Sequence, residues 1–296
     1  MKIIIAGFGR MGVSHAFQIF GALGSEVKLT IVDPSFLARI ISKVLLPARR
    51  YHKTLNDVGE NDFDYGILCT PPYDRQTEVA QISAIAKLCL IEKPVLTVLP
   101  KNAMSGYVMQ YCPTATYVSE IIGKLSLEVT EIDISVYSNV DFSLGQSGWR
   151  SEGKAGGLLY EFFGHALTFG LCPLLSASEF TLSDISVVKS ERNQFDMTLK
   201  VGKTLIRCQI HGDSNVRKTR YLCVYKTSGA RSIEFDPYSV KIDGGVVNIP
   251  DIAGDIRFFL RAYEFSIQCD RLISGSRDQM GSNGIRNIEQ LLEELV

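Results

Sequence analysis

Lys2-Ile3-Ile4-Ile5-Ala6-Gly7-Phe8-Gly9-Arg10-Met11-Gly12 decides the fold. Its first five residues form a short run with three isoleucines, which predicts a buried strand. Glycines follow at positions 7, 9 and 12, and the stretch from Val13 to about Leu23 predicts a helix opening on them. A second apolar run, Val27 to Val32, ends in Asp33. That acid lies about 20 residues beyond the last glycine, the offset at which a carboxylate grips an adenosine ribose. Strand, glycine turn, helix, strand and acid in this order predict a dinucleotide-binding domain. Gly7 permits the tight turn, Gly9 lets backbone approach a pyrophosphate, and Gly12 lets helix pack on strand. Phe8, Arg10 and Met11 complete the loop, and the helix N-terminus offers unpaired N–H groups to the phosphates. Asp33 accepts hydrogen bonds from ribose hydroxyls and repels a 2′-phosphate, so NAD is the preferred cofactor. Arg39 lies near enough in sequence to keep NADP as the alternative.

The alternation continues outward. Ser35 to Val44 reads as a helix, Arg49 to Lys53 as a short strand, and Asp64 to Cys69 as an apolar strand ending in Thr70-Pro71-Pro72. A helix from about Asp74 to Ala86 precedes a strand, Leu88 to Ile91, that runs into Glu92-Lys93-Pro94. Strands alternating with helices predict an α/β Rossmann domain with a doubly wound parallel sheet, whose ligands sit beyond the carboxyl ends of the strands. The glycine loop, Asp33, Thr70, Pro71, Pro72, Glu92 and Lys93 all fall at those ends. Lys93 is either a solvated loop cation or a group beside the nicotinamide, where partial desolvation suits an ammonium to proton transfer.

At 296 residues the chain exceeds what one core usually organises, and two domains are expected, 1–118 and 119–296. A net charge of −1 gives no global basic field for nucleic acid. The opening apolar run is too short for a signal peptide or a membrane span. Seven cysteines without CxxC pairs fit reduced thiols in a cytoplasm, and no metal-ligand spacing stands out.

The second half predicts an α+β domain with a mostly antiparallel open sheet. Leu125 to Tyr137 reads as a long strand and Gly156 to about Leu174 as a helix. Strand-like runs follow at Phe180–Lys189, Gln194–Val201, Thr204–His211, Tyr221–Thr227 and Arg231–Phe235, then helices at Asp255–Ile273 and Asn283–Leu295. Glu161 and His165 lie four apart and share a helix face, so the carboxylate can orient the ring. Spacing alone fits a surface ion pair or a core histidine as well as a site. His15 reads as a neighbour of the cofactor loop or as a packing residue. Trp149 is either a cover for a sugar face or a core filler, and Arg150 reaches a substrate oxygen or an acidic neighbour. An open sheet with one bare face often pairs with its copy, which predicts a homodimer or homotetramer.

With these pieces placed, the chain resembles the glucose–fructose oxidoreductase / inositol dehydrogenase family (Gfo/Idh/MocA). The resemblance rests on Ala6 to His15, Thr70-Pro71-Pro72, Glu92-Lys93-Pro94, Gly148-Trp149-Arg150 and Ala155 to His165, in the family's order. It implies that Lys93, His165 and the carboxylate at 161 lie beside the substrate. It also implies an NAD(P)-dependent oxidoreductase moving hydride between nicotinamide and a hydroxyl or keto carbon of a sugar, inositol or related polyol. The chain departs from the pattern at Glu161 (usually Asp), Phe163 (usually Gly), Ala155 (usually Gly) and Arg75 (often His). Tyr117 to Glu131 looks short, as though a helix had been trimmed. Those departures leave a second expectation open, an inactive NAD(H)-binding sensor on the same fold.

Overall fold

The structure, a computed structural model, describes residues 1–45, 50–59, 61–72, 75–95, 99–139, 157–175, 180–191, 194–213, 215–216, 218–249, 262–274 and 283–295. Packing divides the chain into two compact units. The first comprises Met1–Gly106 with Phe265–Gly281, the second Tyr107–Glu264 with Ser282–Val296.

The first unit is a six-stranded parallel sheet in the order β3-β2-β1-β4-β5-β6, with β1 Lys2–Ala6, β2 Lys28–Val32, β3 Arg50–His52, β4 Phe63–Leu68, β5 Ala86–Ile91 and β6 Ala103–Ser105. Both faces of this sheet are covered, which is why its strands read as unbroken apolar runs. Ile3 and Ile5 point to one face, with Leu29, Ile31, Ile67 and Leu90, and pack under helix α1 (Arg10–Leu23) through Ala16 and Ile19. Ile4 and Ala6 point to the other, with Val32, Leu68, Cys89 and Ile91, under helix α3 (Arg75–Ile85) through Val79 and Ile82. Helix α2 (Phe36–Leu45) links β2 to the segment before β3. The strand order reverses between β1 and β4, and the carboxyl edge at such a switch point is where open α/β sheets bind their ligands.

The second unit is an eight-stranded sheet in the order β14-β13-β12-β11-β7-β10-β9-β8. Its strands are β7 Val129–Ser138, β8 Leu182–Glu191, β9 Gln194–Val201, β10 Thr204–Gly212, β11 Arg220–Thr227, β12 Ser232–Phe235, β13 Val240–Ile242 and β14 Gly245–Val247. All pairs are antiparallel except β7 with β10, which run parallel at the centre. Helix α5 (Gly157–Gly170) lies on one face, where Phe163 meets Phe195 edge-on at 5.7 Å and Phe169 meets Phe235 at 5.1 Å. Gly170 lets the helix settle against Ile134 and Cys223, where any side chain would collide. The other face carries a charged cluster at its centre. Arg207 bridges Glu131 and Asp133 across the parallel pair, and Lys226 reaches the same two acids at 3.2 and 3.5 Å.

Three expectations need correcting. The segment expected to open a strand at Leu125 instead ends a helix, α4 (Pro113–Lys124), and the strand begins at Val129. Pro113 sits in the first helical turn, where its missing N–H costs nothing, and the run of Thr and Tyr after it hides the periodicity. The first part of the stretch that looks short in the sequence thus lies in this helix, with Thr114, Ala115 and Val118 buried. β6 and the hairpin of β13 and β14 were not foreseen, being only three residues each. Finally, a boundary at 118 would cut α4 in two, whereas the packing divides after Gly106. Helix α6 (Ala262–Ser274), expected within the second domain, contributes Cys269 and Leu272 to the first unit's core. Tyr65 also donates its hydroxyl to the Ile273 carbonyl at 2.6 Å.

Candidate active site

The glycine loop is built by three different demands. Gly7 has φ +86°, and a Cβ there would stand 2.7 Å from the carbonyl carbon of Cys69 and the amide nitrogen of Thr70. A Cβ on Gly12 would run into the Gly7 carbonyl oxygen. Both glycines are thus required by the chain's own packing. Gly9 is not, since a Cβ there meets nothing within 4 Å among the described residues. The room above Gly9 lies at the N-terminus of α1, where Gly9 is the N-cap and supplies no side-chain hydrogen bond to the first amides. No acid stands in that first turn. An uncapped terminus beside open space is what an anionic pyrophosphate fits, so these residues suit a dinucleotide. Gly9→Ala should therefore fold with a melting temperature close to wild type yet bind NADH about tenfold or more weakly, since a methyl pushed into an occupied contact costs about 1–3 kcal/mol. Gly12→Ala should instead lose stability in the absence of any nucleotide. Melting curves and nicotinamide fluorescence titrations separate the two.

Asp33 is buried at the end of β2. Its Oδ2 accepts the Phe8 N–H at 2.6 Å and its Oδ1 accepts the Ser35 N–H at 2.8 Å. The carboxylate is thereby tied to the glycine loop and held in one orientation, and each oxygen retains a second lone pair for a hydroxyl donor.

At the next two strand ends the sequence motifs become one network. Thr70 donates its hydroxyl to Glu78 Oε2 at 2.5 Å. His15, one turn into α1, meets Glu92 through Nε2···Oε1 at 2.6 Å, with each residue only 3% exposed. Glu92 Oε2 also accepts the Lys93 N–H at 3.3 Å, and Lys93 itself is half-buried. Arg75, the first residue of α3, is 6% exposed and spends its donors on main-chain carbonyls. Nε donates to Pro71, Nη2 to Thr70, and Nη1 to both Glu92 and Pro94. Burial pushes the Arg75 guanidinium down from its ordinary value, against the opposing pull of Cys69, Glu92 and Glu78. Cys69 is held well above the usual thiol range by its own burial, then by the Glu92 charge, so it stays protonated at neutral pH. The remaining free cysteines behave alike where burial dominates, Cys89 being pushed up to about 11 and Cys208 and Cys269 to about 12.

Thus Gly7, Phe8, Gly9, Arg10, Met11, Gly12, Asp33, Thr70, Pro71, Pro72, Glu92 and Lys93 all stand at the carboxyl edge of the first unit's sheet. In the second unit His165 lies on α5, 8% exposed, with the Tyr107 ring edge-on at 5.9 Å. Gly164 permits that approach, because a Cβ there would overlap the tyrosine ring. Glu161 precedes His165 by one turn of α5, but its side chain lies outside the described residues, as do Trp149, Arg150 and Ala155. Phe163, a departure from the resembled pattern, fills the core against Phe195 and is fully buried. Arg75 and Tyr107 were not singled out from sequence as site residues. For Arg75 a signal existed, because a cation at the first residue of a helix opposes the helix dipole and calls for another purpose.

No family model matches the sequence, and no curated protein matches it. Solved structures do match over the whole fold. Levoglucosan dehydrogenase in complex with NADH and levoglucosan gives a TM-score of 0.76 at 11% identity, covering 99% of this chain and 94% of that one. GenD2 from gentamicin A biosynthesis, in complex with NAD, gives 0.73 at 15% identity, covering 99% and 92%. Scyllo-inositol dehydrogenase from Lactobacillus casei, with bound NAD(H) and scyllo-inositol, gives 0.71 at 13% identity, covering 99% and 95%. The chain therefore has the fold of the Gfo/Idh/MocA-type dehydrogenases, a parallel Rossmann sheet followed by a separate, mostly antiparallel one. Among the described residues, no helix is long and apolar enough to cross a membrane.

Proposed function

We propose that the chain is a nicotinamide-dependent oxidoreductase interconverting a hydroxyl and a keto carbon on a sugar, inositol or related polyol. The observation that carries this reading is the space that the described residues leave open over Gly9 at an uncapped helix terminus, beside the oriented Asp33 carboxylate. The loop amides would hold the pyrophosphate and Asp33 the adenosine ribose, which favours NAD over NADP. Thr70, Pro71, Pro72 and Glu92 would border the nicotinamide half. The nicotinamide, when bound, supplies the hydride acceptor or donor. Lys93 and His165 share the proton chemistry. One takes the substrate's hydroxyl proton, the other donates a hydrogen bond to the oxygen, and the roles invert in reduction. Glu161 orients His165 from one turn away, and Trp149 and Arg150 contact the substrate. Solved structures of the same fold bear NAD(H) with scyllo-inositol or levoglucosan, which supports the small-polyol class. A sheet with one face left open by the described residues supports pairing with its copy as a homodimer or homotetramer, and seven free cysteines fit a reducing cytoplasm.

The test is titration of NADH and NADPH against wild type and Asp33→Ala, followed by a panel of inositols and sugars monitored by nicotinamide absorbance. NADH binding that weakens in the variant, together with turnover of at least one polyol, is expected. Absence of binding by either nucleotide would overturn the reading. Binding without turnover across the panel would favour a sensor.

A further inference from the structure

Two loops that end neighbouring strands, Thr70-Pro71 after β4 and Glu92-Lys93-Pro94 after β5, are joined in the first unit by one buried side chain. We propose that Arg75 is a positioning residue, whose guanidinium fixes the main chain on both sides of Lys93 and sets that lysine's place relative to the cofactor-binding loop. The proposal rests on the reading of Lys93 as a proton-transfer group given above.

Four features support it. First, the acceptors are four main-chain carbonyls, two from each loop, so the planar group works as a template between loops. Second, the two carbonyls bonded through Nη1 belong to residues 92 and 94, immediately flanking Lys93. Third, Arg75 makes no ion pair among the described residues, and both acids near it are otherwise engaged. Glu92 bonds His15 and Glu78 bonds Thr70. An arginine kept for charge pairing would hold a carboxylate. Fourth, the cation sits at the N-terminal residue of α3, an electrostatically poor place for a positive charge. Its cost must be offset by something, and the bonds to the two loops are what the structure offers. The fork geometry matters as much as the charge. A lysine ammonium is a point charge with three donors on a flexible stem, and it cannot reach four carbonyls arrayed around a plane.

Arg75→Lys and Arg75→Ala test this, with readouts that need no substrate. Acetylation of Lys93 by an N-hydroxysuccinimide ester is followed by peptide mass spectrometry, with exposed Lys87 as the internal reference. NADH affinity and thermal melting are measured alongside. Folded Arg75→Lys is expected to acetylate Lys93 several-fold faster relative to Lys87 and to bind NADH several-fold more weakly. On any polyol turned over by wild type, kcat falls with little change in KM. Guanidinium ion at non-denaturing millimolar concentration should return the Lys93 rate of Arg75→Ala towards wild type, while sodium should not. Unchanged Lys93 acetylation in folded variants would overturn the proposal, as would failure of both variants to fold, which would assign Arg75 to the fold alone. If wild type binds no nucleotide, the functional reading fails, but the acetylation comparison still decides whether Arg75 positions Lys93.

Discussion

Lys93→Ala is expected to lower turnover of any polyol substrate by about 10²–10⁴-fold, the range that a positioned acid or base supplies, while NADH affinity stays near the wild-type value. The split follows from where the residue stands. Its backbone is held by Glu92 Oε2, and the flanking carbonyls are held by Arg75, so truncating the side chain leaves the loop's supports in place. The pyrophosphate and adenosine ribose are assigned to the glycine loop and Asp33, on other strands, and Glu92, which borders the nicotinamide half, keeps its own bond to His15. The measurement is kcat by nicotinamide absorbance beside a fluorescence titration. Turnover close to wild type would remove Lys93 from the chemistry, whereas loss of NADH binding in step with turnover would reduce it to a structural role.

The second large effect concerns stability. His15→Leu should destabilise the protein by about 1–3 kcal/mol, because it takes away the hydrogen-bond partner of a buried Glu92 oxygen. Glu92 is 3% exposed, and its Oε1 loses the 2.6 Å contact from Nε2, so water cannot replace the lost donor cheaply. Replacing both partners by apolar residues of similar size should recover much of the loss, since two buried polar groups are then absent together. Urea unfolding of His15→Leu, Glu92→Leu and the double variant closes the cycle. Single costs well below about 1 kcal/mol, as at an exposed pair, would show that the site is wetter than its burial implies. The pair also ties the helix after the glycine loop to the strand end that bears Lys93, so nucleotide affinity should fall with stability.

Much of the first unit was legible because parallel strands buried on both faces leave unbroken apolar runs, and because Gly7 and Gly12 stand where a side chain would collide with backbone. The place of Asp33 at the end of β2 was legible in the same local way. Arg75 illustrates what was not. Its partners are carbonyls, which every residue has, so no sequence pattern marks the loops it joins. Tyr107 left no signal either, since an aromatic beside a histidine 58 positions later has no local signature. Helix α4 was lost because a proline opening a helix and a proline breaking one look alike until the caps are seen. The parallel pairing of β7 with β10 joins Asp133 to Arg207 across a separation of 74 residues, beyond the reach of periodicity. The pairing of β1 with β2 and β4, by contrast, is what short alternating connections dictate.

Helix α6 has a consequence for how this protein comes into being on the ribosome. Cys269 and Leu272 complete the hydrophobic layer that Ile3, Ile5, Ala16 and Ile19 begin, and Tyr65 waits for the Ile273 carbonyl. Translation delivers those partners only after every strand of the other sheet has been made. The glycine loop is therefore synthesised first but acquires its full support late. A nascent chain halted after Gly106 would carry an apolar surface with its cover not yet made, a natural client for a chaperone. Expression of residues 1–106 alone should accordingly give an aggregating fragment, and a stable nucleotide-binding piece would have to be engineered by splicing α6 back on.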